Sequence, residues 1–408
     1  MHGLGTRIRQ LRQSRGLTQE QLAGHELTKS FISLLERDKT SPSVETLGLL
    51  SRRLGTSVDA LMGSQDRLPE QITAGLLALS FEAIRKHNVA HAKELLGAVT
   101  VLTRAYRLDE AGRELVLQWA QVALEEREFD TAIPLAEQAY QQAEQVRDLW
   151  RMGRARLVTG TAAMQRRDIQ TAVRDLNAAL ETLRKAKASR DPARVEALIH
   201  LGSALVYAGD YERAIKRYYE AARAQVARQH PALLARALWG LGAAYRHTGE
   251  LNSANEALMG ARDLFEKSEE LTDLAYVLHN LGQVATEQKR HKDALRHFHH
   301  ALRVAERLRV QSLRAHVLTE IGRVHVTLDS LEDAAAFAGQ ALAEAKNIGD
   351  PVEAAEAQVV LARIAFARGN AGEGARLLKT AADIFTERGM AHRVAELARE
   401  AGMALIER

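Results

Sequence analysis

Two stretches of the chain, LGSALVYAGDYERAIKRYYEA at 201–221 and LGAAYRHTGELNSANEALMGA at 241–261, carry one pattern twice. Gly202 answers to Gly242, Gly209 to Gly249, Ala214 to Ala254 and Ala221 to Ala261. Outward from this pair, a small residue recurs at Ser80, Ala120, Gly160, Gly202, Gly242, Gly282, Gly322 and Ala362, at spacings of 40, 40, 42, 40, 40, 40 and 40. A second small residue follows twelve later each time: Ala92, Ala132, Ala172, Ala214, Ala254, Ala294, Ala334 and Gly374. A third lies seven beyond that in all but the first copy, which has Val99. Small residues at this period let paired helices approach closely, while the large apolar residues between them fill the remaining space. The pattern predicts an all-α stack of about eight helical hairpins over 66–408, closed by a lone helix at 391–408 whose polar face caps it.

This pattern is similar to tetratricopeptide repeats, lengthened from 34 to about 40 residues. The resemblance implies a right-handed superhelical solenoid whose first helices line a concave face. Residues flanking the small Gly on that face are Gln118, Gln121, Arg154, His200, Arg236, Trp239, Arg246, Tyr276, His279, Asn280, Gln283, His316, Thr319 and Arg323. Amide groups there can pair with both N–H and C=O of an extended peptide. Arginine can clamp a carboxylate, and Trp239 and Tyr276 offer apolar anchorage. The competing reading of any one of these is a solvated side chain in an empty groove. His291, His297, His299 and His300 have no partnering cysteine or carboxylate pair, so no metal or cofactor is expected.

Composition agrees with a helical reading. Of 408 residues 46% are apolar and 5% aromatic, with six prolines and no cysteine, so disulfides and thiolate chemistry are excluded. No stretch approaches the roughly 18 apolar residues of a membrane span, so a cytoplasmic location without membrane association is expected. Net charge is +4, and residues 1–65 carry nine Lys/Arg against six Asp/Glu. The basic excess therefore sits on the N-terminal segment, where a polyanionic partner gains most from it.

That segment reads as five short helices: Leu4 to Ser14, 19–23 behind a Thr18 cap, 29–37 behind Thr28, Val44 to Leu54, and Val58 to Met62. Two helices joined by a short turn and braced by three more form a helix-turn-helix. The residues that carry it are Arg-Ile-Arg-x-Leu-Arg at 7–12, Gly-Leu-Thr-Gln-Glu-Gln-Leu-Ala at 16–23, Phe-Ile-Ser-Leu-Leu-Glu-Arg at 31–37, Pro-Ser-Val-Glu-Thr-Leu at 42–47 and Leu-Gly-Thr-Ser-Val-Asp-Ala-Leu at 54–61. They resemble the phage-repressor-like, XRE-type DNA-binding domain, which sets a domain 1–65 ahead of the repeats. Two positions depart from the family pattern. The turn after helix two lacks the usual internal glycine and is one residue short, and Asp38 stands where glycine is expected.

The resemblance implies that the start of the third helix faces the major groove. Lys29, Ser30 and Ser33 are the groups that would read base edges there. Gln19, with Arg37, Lys39, Thr40 and Ser41, would meet the phosphates, and the capping Thr28 is counted among the DNA-binding residues. Arg12 and Glu36 match a structural ion pair of the family. A repressor-like head followed by such repeats resembles the peptide-sensing RRNPP quorum regulators. This implies a homodimer on double-stranded DNA whose operator affinity responds to a peptide. The alternative is an array that docks a folded protein partner, the head serving as a DNA tether. No nucleophile–base set, phosphate-cradling loop or metal-ligand spacing suggests an enzyme.

Overall fold

The structure, a computed structural model, describes residues 3–62, 68–188 and 191–406. Among these it contains 23 helices and no strand, and no helix long and apolar enough to cross a membrane. Two compact units, Met1–Arg147 and Asp148–Arg408, divide the chain. The expected domain boundary at 65/66 lies outside the described residues.

The first unit opens with α1 (Leu4–Ser14), α2 (Gln19–Ala23), α3 (Lys29–Glu36), α4 (Val44–Arg53) and α5 (Val58–Met62). Apolar residues at helical spacing converge on one small core, in which Ile8, Leu22, Ile32, Leu35, Leu50, Leu54 and Leu61 are buried. The sequence signals act where they stand. Thr18 and Gln21 form a reciprocal capping box on α2. Thr28 and Ser43 accept the Phe31 and Thr46 amides to start α3 and α4. Gly24 closes α2 at φ +59°, so the turn into α3 holds its glycine at the helix end. Two hairpins follow: α6 (Leu68–Arg85) with α7 (Val89–Tyr106), and α8 (Asp109–Glu125) with α9 (Phe129–Gln145).

The second unit continues with α10 (Leu149–Gln165) and α11 (Ile169–Lys185), then α12 (Pro192–Tyr207) and α13 (Tyr211–Arg223). A five-residue α14 (Gln225–Gln229) intervenes before α15 (Pro231–His247) and α16 (Leu251–Ser268). After these come α17 (Leu271–Glu287), α18 (His291–Leu308), α19 (Gln311–Thr327), α20 (Leu331–Asn347), α21 (Pro351–Ala367) and α22 (Ala371–Glu387). The lone α23 (Ala391–Ile406) ends the stack, and the last two residues of its expected span lie outside the described residues. Eight hairpins and a terminal helix match the period read from the sequence. The periodic glycines mark close approach: a Cβ on Gly282 would stand 2.4 Å from the Phe298 ring. Gly202 and Gly240, on the adjacent first helices α12 and α15, both face Tyr218 of α13, whose hydroxyl meets Ser203 Oγ at 2.9 Å.

A shorter period lies beneath the 40-residue one. A left-handed residue ends a helix every twenty positions, at His87, Arg107, Arg127, Arg147, Arg167 and Lys187. The series resumes at Gly209 and Gly249 and runs to Gly389. Each such turn sends amide N–H groups back to the last carbonyls of the helix, as His87 and Asn88 do to Ile84 and Ala83. The series fails once, at 229, beside α14. Four residues after the third small residue, α11, α16 and α22 place Leu183, Phe265 and Phe385 in the core. The same register beyond α13 is the exposed Gln225, the first residue of α14. The helix breaks at Ala224, whose backbone is extended (φ −60°, ψ 134°), and Val226 and Ala227 turn inward instead. Burying an apolar pair outweighs the helical bonds lost at the break.

Candidate nucleic-acid interface and repeat face

In the head, Arg12 and Glu36 form the expected pair. Arg12 Nε donates to Glu36 Oε1 at 2.6 Å and Nη2 to Oε2 at 3.2 Å, while Nη1 reaches the Leu17 carbonyl at 2.7 Å. Burial pushes the Glu36 carboxyl up, but the hydrogen bonds from Arg12 and Gln19 outweigh it and hold the group below the usual carboxylate range. Gln19, expected to meet phosphate, thus gives its amide to Glu36 Oε2 at 2.9 Å. Glu36 thus ties the end of α3 to α1 through Arg12 and to the start of α2 through Gln19, which fixes the helix-turn-helix angle.

At the start of α3, Lys29 and Ser30 are exposed, and Thr28 is used as the cap. Ser33, a turn later, is engaged by Arg37, whose Nη2 donates to its hydroxyl at 2.8 Å and Nε to its carbonyl at 3.0 Å. Lys39 and Ser41 are exposed and Thr40 half-buried in the loop after α3. Three other arginines hold helix ends. Arg7 donates to the Leu61 and Met62 carbonyls at 3.1 Å, Arg15 to Gly55 at 3.3 Å, and Arg53 to Leu22 at 3.1 Å. Arg9, Lys29, Lys39 and Arg52 have no hydrogen-bond or ion-pair partner among the described residues and remain available to an anion.

Asp38 carries what sequence reasoning missed. It adopts φ +56° after α3, and its carboxylate accepts from the Gly5 amide at 2.8 Å and the Gly3 amide at 3.4 Å. Helix α1 has no side-chain cap of its own. Asp38 therefore caps it from 33 residues away, and Gly5 lets the backbones meet, since a Cβ there would lie 2.2 Å from the Leu35 carbonyl.

On the repeats, the expected face residues divide into three groups. Gln118 and Arg154 are buried. Gln118 Nε2 binds the Leu77 carbonyl and Glu114 Oε1, each at 3.1 Å, and Arg154 lies 4.5 Å over the Trp150 ring. Gln121, His200 and Gln283 are half-buried. All of the remainder but His279 link one first helix to the next. Arg236 of α15 donates to Asp273 at 3.0 Å and Glu270 at 3.3 Å, and Arg246 to Glu287 at 2.9 Å. Arg323 of α19 reaches Glu320 at 2.7 Å and Glu356 at 2.5 Å. Glu356 also takes Arg393 of α23 through both oxygens, at 2.8 and 2.6 Å. Arg236, Arg246 and Arg323 are thus already paired with acids the reading did not single out.

His316 and Thr319 converge on Glu353, a buried carboxylate of α21. His316 Nε2 lies 2.9 Å from Glu353 and Nδ1 2.8 Å from the Ser312 carbonyl. Both ring nitrogens face acceptors, which requires the doubly protonated ring, and the hydrogen bond to Glu353 raises its pKa to about 9. Trp239 stacks on Tyr276 at 6.0 Å. With its amide oriented to satisfy its neighbours, Asn280 accepts from Trp239 Nε1 at 3.3 Å and donates to the Tyr276 carbonyl at 3.1 Å. Beside them, His279 Nε2 and Arg246 Nε are buried without a hydrogen-bond partner. Burial holds the His279 pKa below the usual imidazole range, so its ring is neutral at pH 7.

Comparison with known proteins agrees with both parts. The family described as helix-turn-helix matches residues 8–61, and that described as MalT-like TPR region matches 228–406. The immunity repressor protein of Bacillus phage phi105 is 38% identical over 69 residues, 17% of this chain and 48% of that protein. The HTH-type transcriptional regulator DdrOP3 of Deinococcus deserti is 40% identical over 72 residues, 17% of this chain and 55% of that protein. The chain spans about half the length of the curated relatives it matches. Among solved structures, the apo quorum sensor NprR from B. thuringiensis superposes with TM-score 0.58 at 15% identity, over 83% of this chain and 95% of that one. A signal-transduction ATPase with a tetratricopeptide-repeat sensor, from Pyrococcus horikoshii, gives TM-score 0.63 at 12% identity, over 89% and 57%. At these identities the likeness is one of fold.

Proposed function

We propose that this chain, an XRE-type helix-turn-helix domain joined to a tetratricopeptide-repeat region, is a cytoplasmic, homodimeric transcriptional regulator whose repeats bind a peptide that modulates operator binding. The head relatives, a repressor and a transcriptional regulator, support the DNA half of this reading. So do Lys29 and Ser30 at the solvent-facing start of α3, and Lys39 and Ser41 beyond its end. Lys29, Ser30 and Ser33 read base edges; Gln19, Thr28, Arg37, Lys39, Thr40 and Ser41 meet phosphates.

The peptide half rests on one observation: two buried polar atoms, His279 Nε2 and Arg246 Nε, lack partners beside the Trp239–Tyr276–Asn280 cluster. A buried polar group without a partner is costly, and a peptide's amides and carbonyls would supply both kinds of bond. A folded protein partner is the second reading. The engagement of Arg236, Arg246 and Arg323 by acids favours it, because a peptide carboxylate would have to break those pairs.

The test is to select operator DNA with the full chain, then recover peptide co-purifying with the protein from its native host and measure operator affinity with and without it. Asn280→Ala should keep operator affinity in the absence of peptide and blunt the peptide response. A full response in that variant would remove this face from the site, and failure to select any DNA would end the regulator reading.

A further inference from the structure

The break between α13 and α14 leaves a cavity that neither DNA nor the first-helix face uses. Its volume is about 420 Å³, within the range of roughly 300–1,000 Å³ that small-molecule sites occupy. Position explains its origin. In the preceding hairpin Leu183 runs on past the third small residue and packs against Gly153, where a Cβ would stand 2.6 Å from it. The counterpart of Gly153, seven residues before Gly202, is Val195, and the counterpart of Leu183 is Gln225, which leaves for solvent where the chain turns at Ala224. No side chain of α13 takes the place that Leu183 fills.

The chemistry of the cavity is two-sided. Val195 and Leu198, both buried, line its apolar side with Ala224. Arg194, Lys216 and Arg223 line the other side, against one carboxylate, Glu220. That carboxylate is already shared, by Arg194 at 2.9 Å and Arg217 at 3.2 Å. Arg223 is held by a phenol and not by an acid: its Nη1 donates to the Tyr219 hydroxyl at 3.3 Å, and its guanidinium stands 5.5 Å from that ring. Tyr219 is itself half exposed. Two cations, Lys216 and Arg223, therefore face an apolar recess with no acid of their own among the described residues.

We infer that this cavity binds a small amphipathic anion, a carboxylate carrying a short apolar tail, with the tail on Val195, Leu198 and Ala224 and the carboxylate between Lys216 and Arg223. The site is separate from the first-helix face, and its test does not depend on peptide or DNA. Octanoate is the probe, titrated calorimetrically into the full chain, with acetate supplying the charge alone and octylammonium the tail with the opposite charge. Octanoate should bind one per chain, and acetate and octylammonium should not. Lys216→Glu and Arg223→Glu, both surface changes, should each weaken octanoate by roughly tenfold or more, and Ala224→Phe should abolish it by filling the recess. Circular dichroism verifies that each variant keeps its helix content. Absence of octanoate binding, equal binding of octylammonium, or unchanged affinity in a folded Lys216→Glu protein would each overturn the assignment.

Discussion

Asp38 shows how one side chain can offset a backbone cost. A non-glycine residue at its φ costs about 1 kcal/mol, while a carboxylate capping a helix contributes about the same or more. Asp38→Ala keeps the strain and loses the cap, so it should destabilise the head by about 1–2 kcal/mol. Asp38→Gly loses the cap but relaxes the backbone, and should cost less. Urea denaturation of both variants separates the two contributions: equal losses would dismiss the backbone cost, and an Asp38→Ala protein as stable as the parent would dismiss the capping role. Sequence reasoning saw only a missing glycine at this position, because the capped amides belong to a helix 33 residues earlier. The Arg12–Glu36 pair was legible through the family pattern. The arginines on the α2 and α5 carbonyls were not, since an arginine on a short basic helix reads equally well as a phosphate contact.

Between helices, the joints of the second unit are polar. His316 bridges α19 to α21 through Glu353. Its pKa is raised from 6.5 to about 9 in the fold. The stabilisation is therefore fully present below pH 6.5 and is lost as the pH climbs through about 9. His316→Gln should melt below the parent at neutral pH, and the gap should close by about pH 10. A gap independent of pH would mean that His316 acts by packing alone. Every hairpin was legible from the small-residue period, because close helix contacts leave a sequence trace. The α13–α14 break was not read, although its signal stands in the sequence: Gln225 occupies a register where the six other hairpins with a third small Ala carry Ala, Leu or Phe. The groove cations were legible by their offset from glycine. Three of their partners were not, because Glu270, Asp273 and Glu287 fall at other offsets on or beside the next first helix; Glu356 shares the offset of Arg236 and His316 but was not singled out.

At the scale of the whole chain, the DNA half of the proposal predicts salt-dependent operator binding. Lys29→Ala should lose sequence discrimination, costing about 1–3 kcal/mol at the base pair it reads. Lys39→Ala should weaken all sequences alike and reduce the salt slope by about one. Competition between operator and random duplex at several salt concentrations distinguishes the two. If Lys29→Ala weakens both duplexes equally, Lys29 is a phosphate contact.

The twenty-residue rhythm of left-handed turns has a consequence for where the array yields first. From His87 to Lys187 each such turn is built on a residue with a Cβ, whereas five of those from Gly209 onward use glycine. Each side chain held there stores about 1 kcal/mol, so the early repeats bear a load that the last three turns, at Gly349, Gly369 and Gly389, escape. Amide hydrogens of α7 to α11 should accordingly exchange sooner than those of α20 to α22. Arg127→Gly together with Arg167→Gly should slow that exchange, and the early hairpins would then no longer be the part of the spring that gives way before the rest.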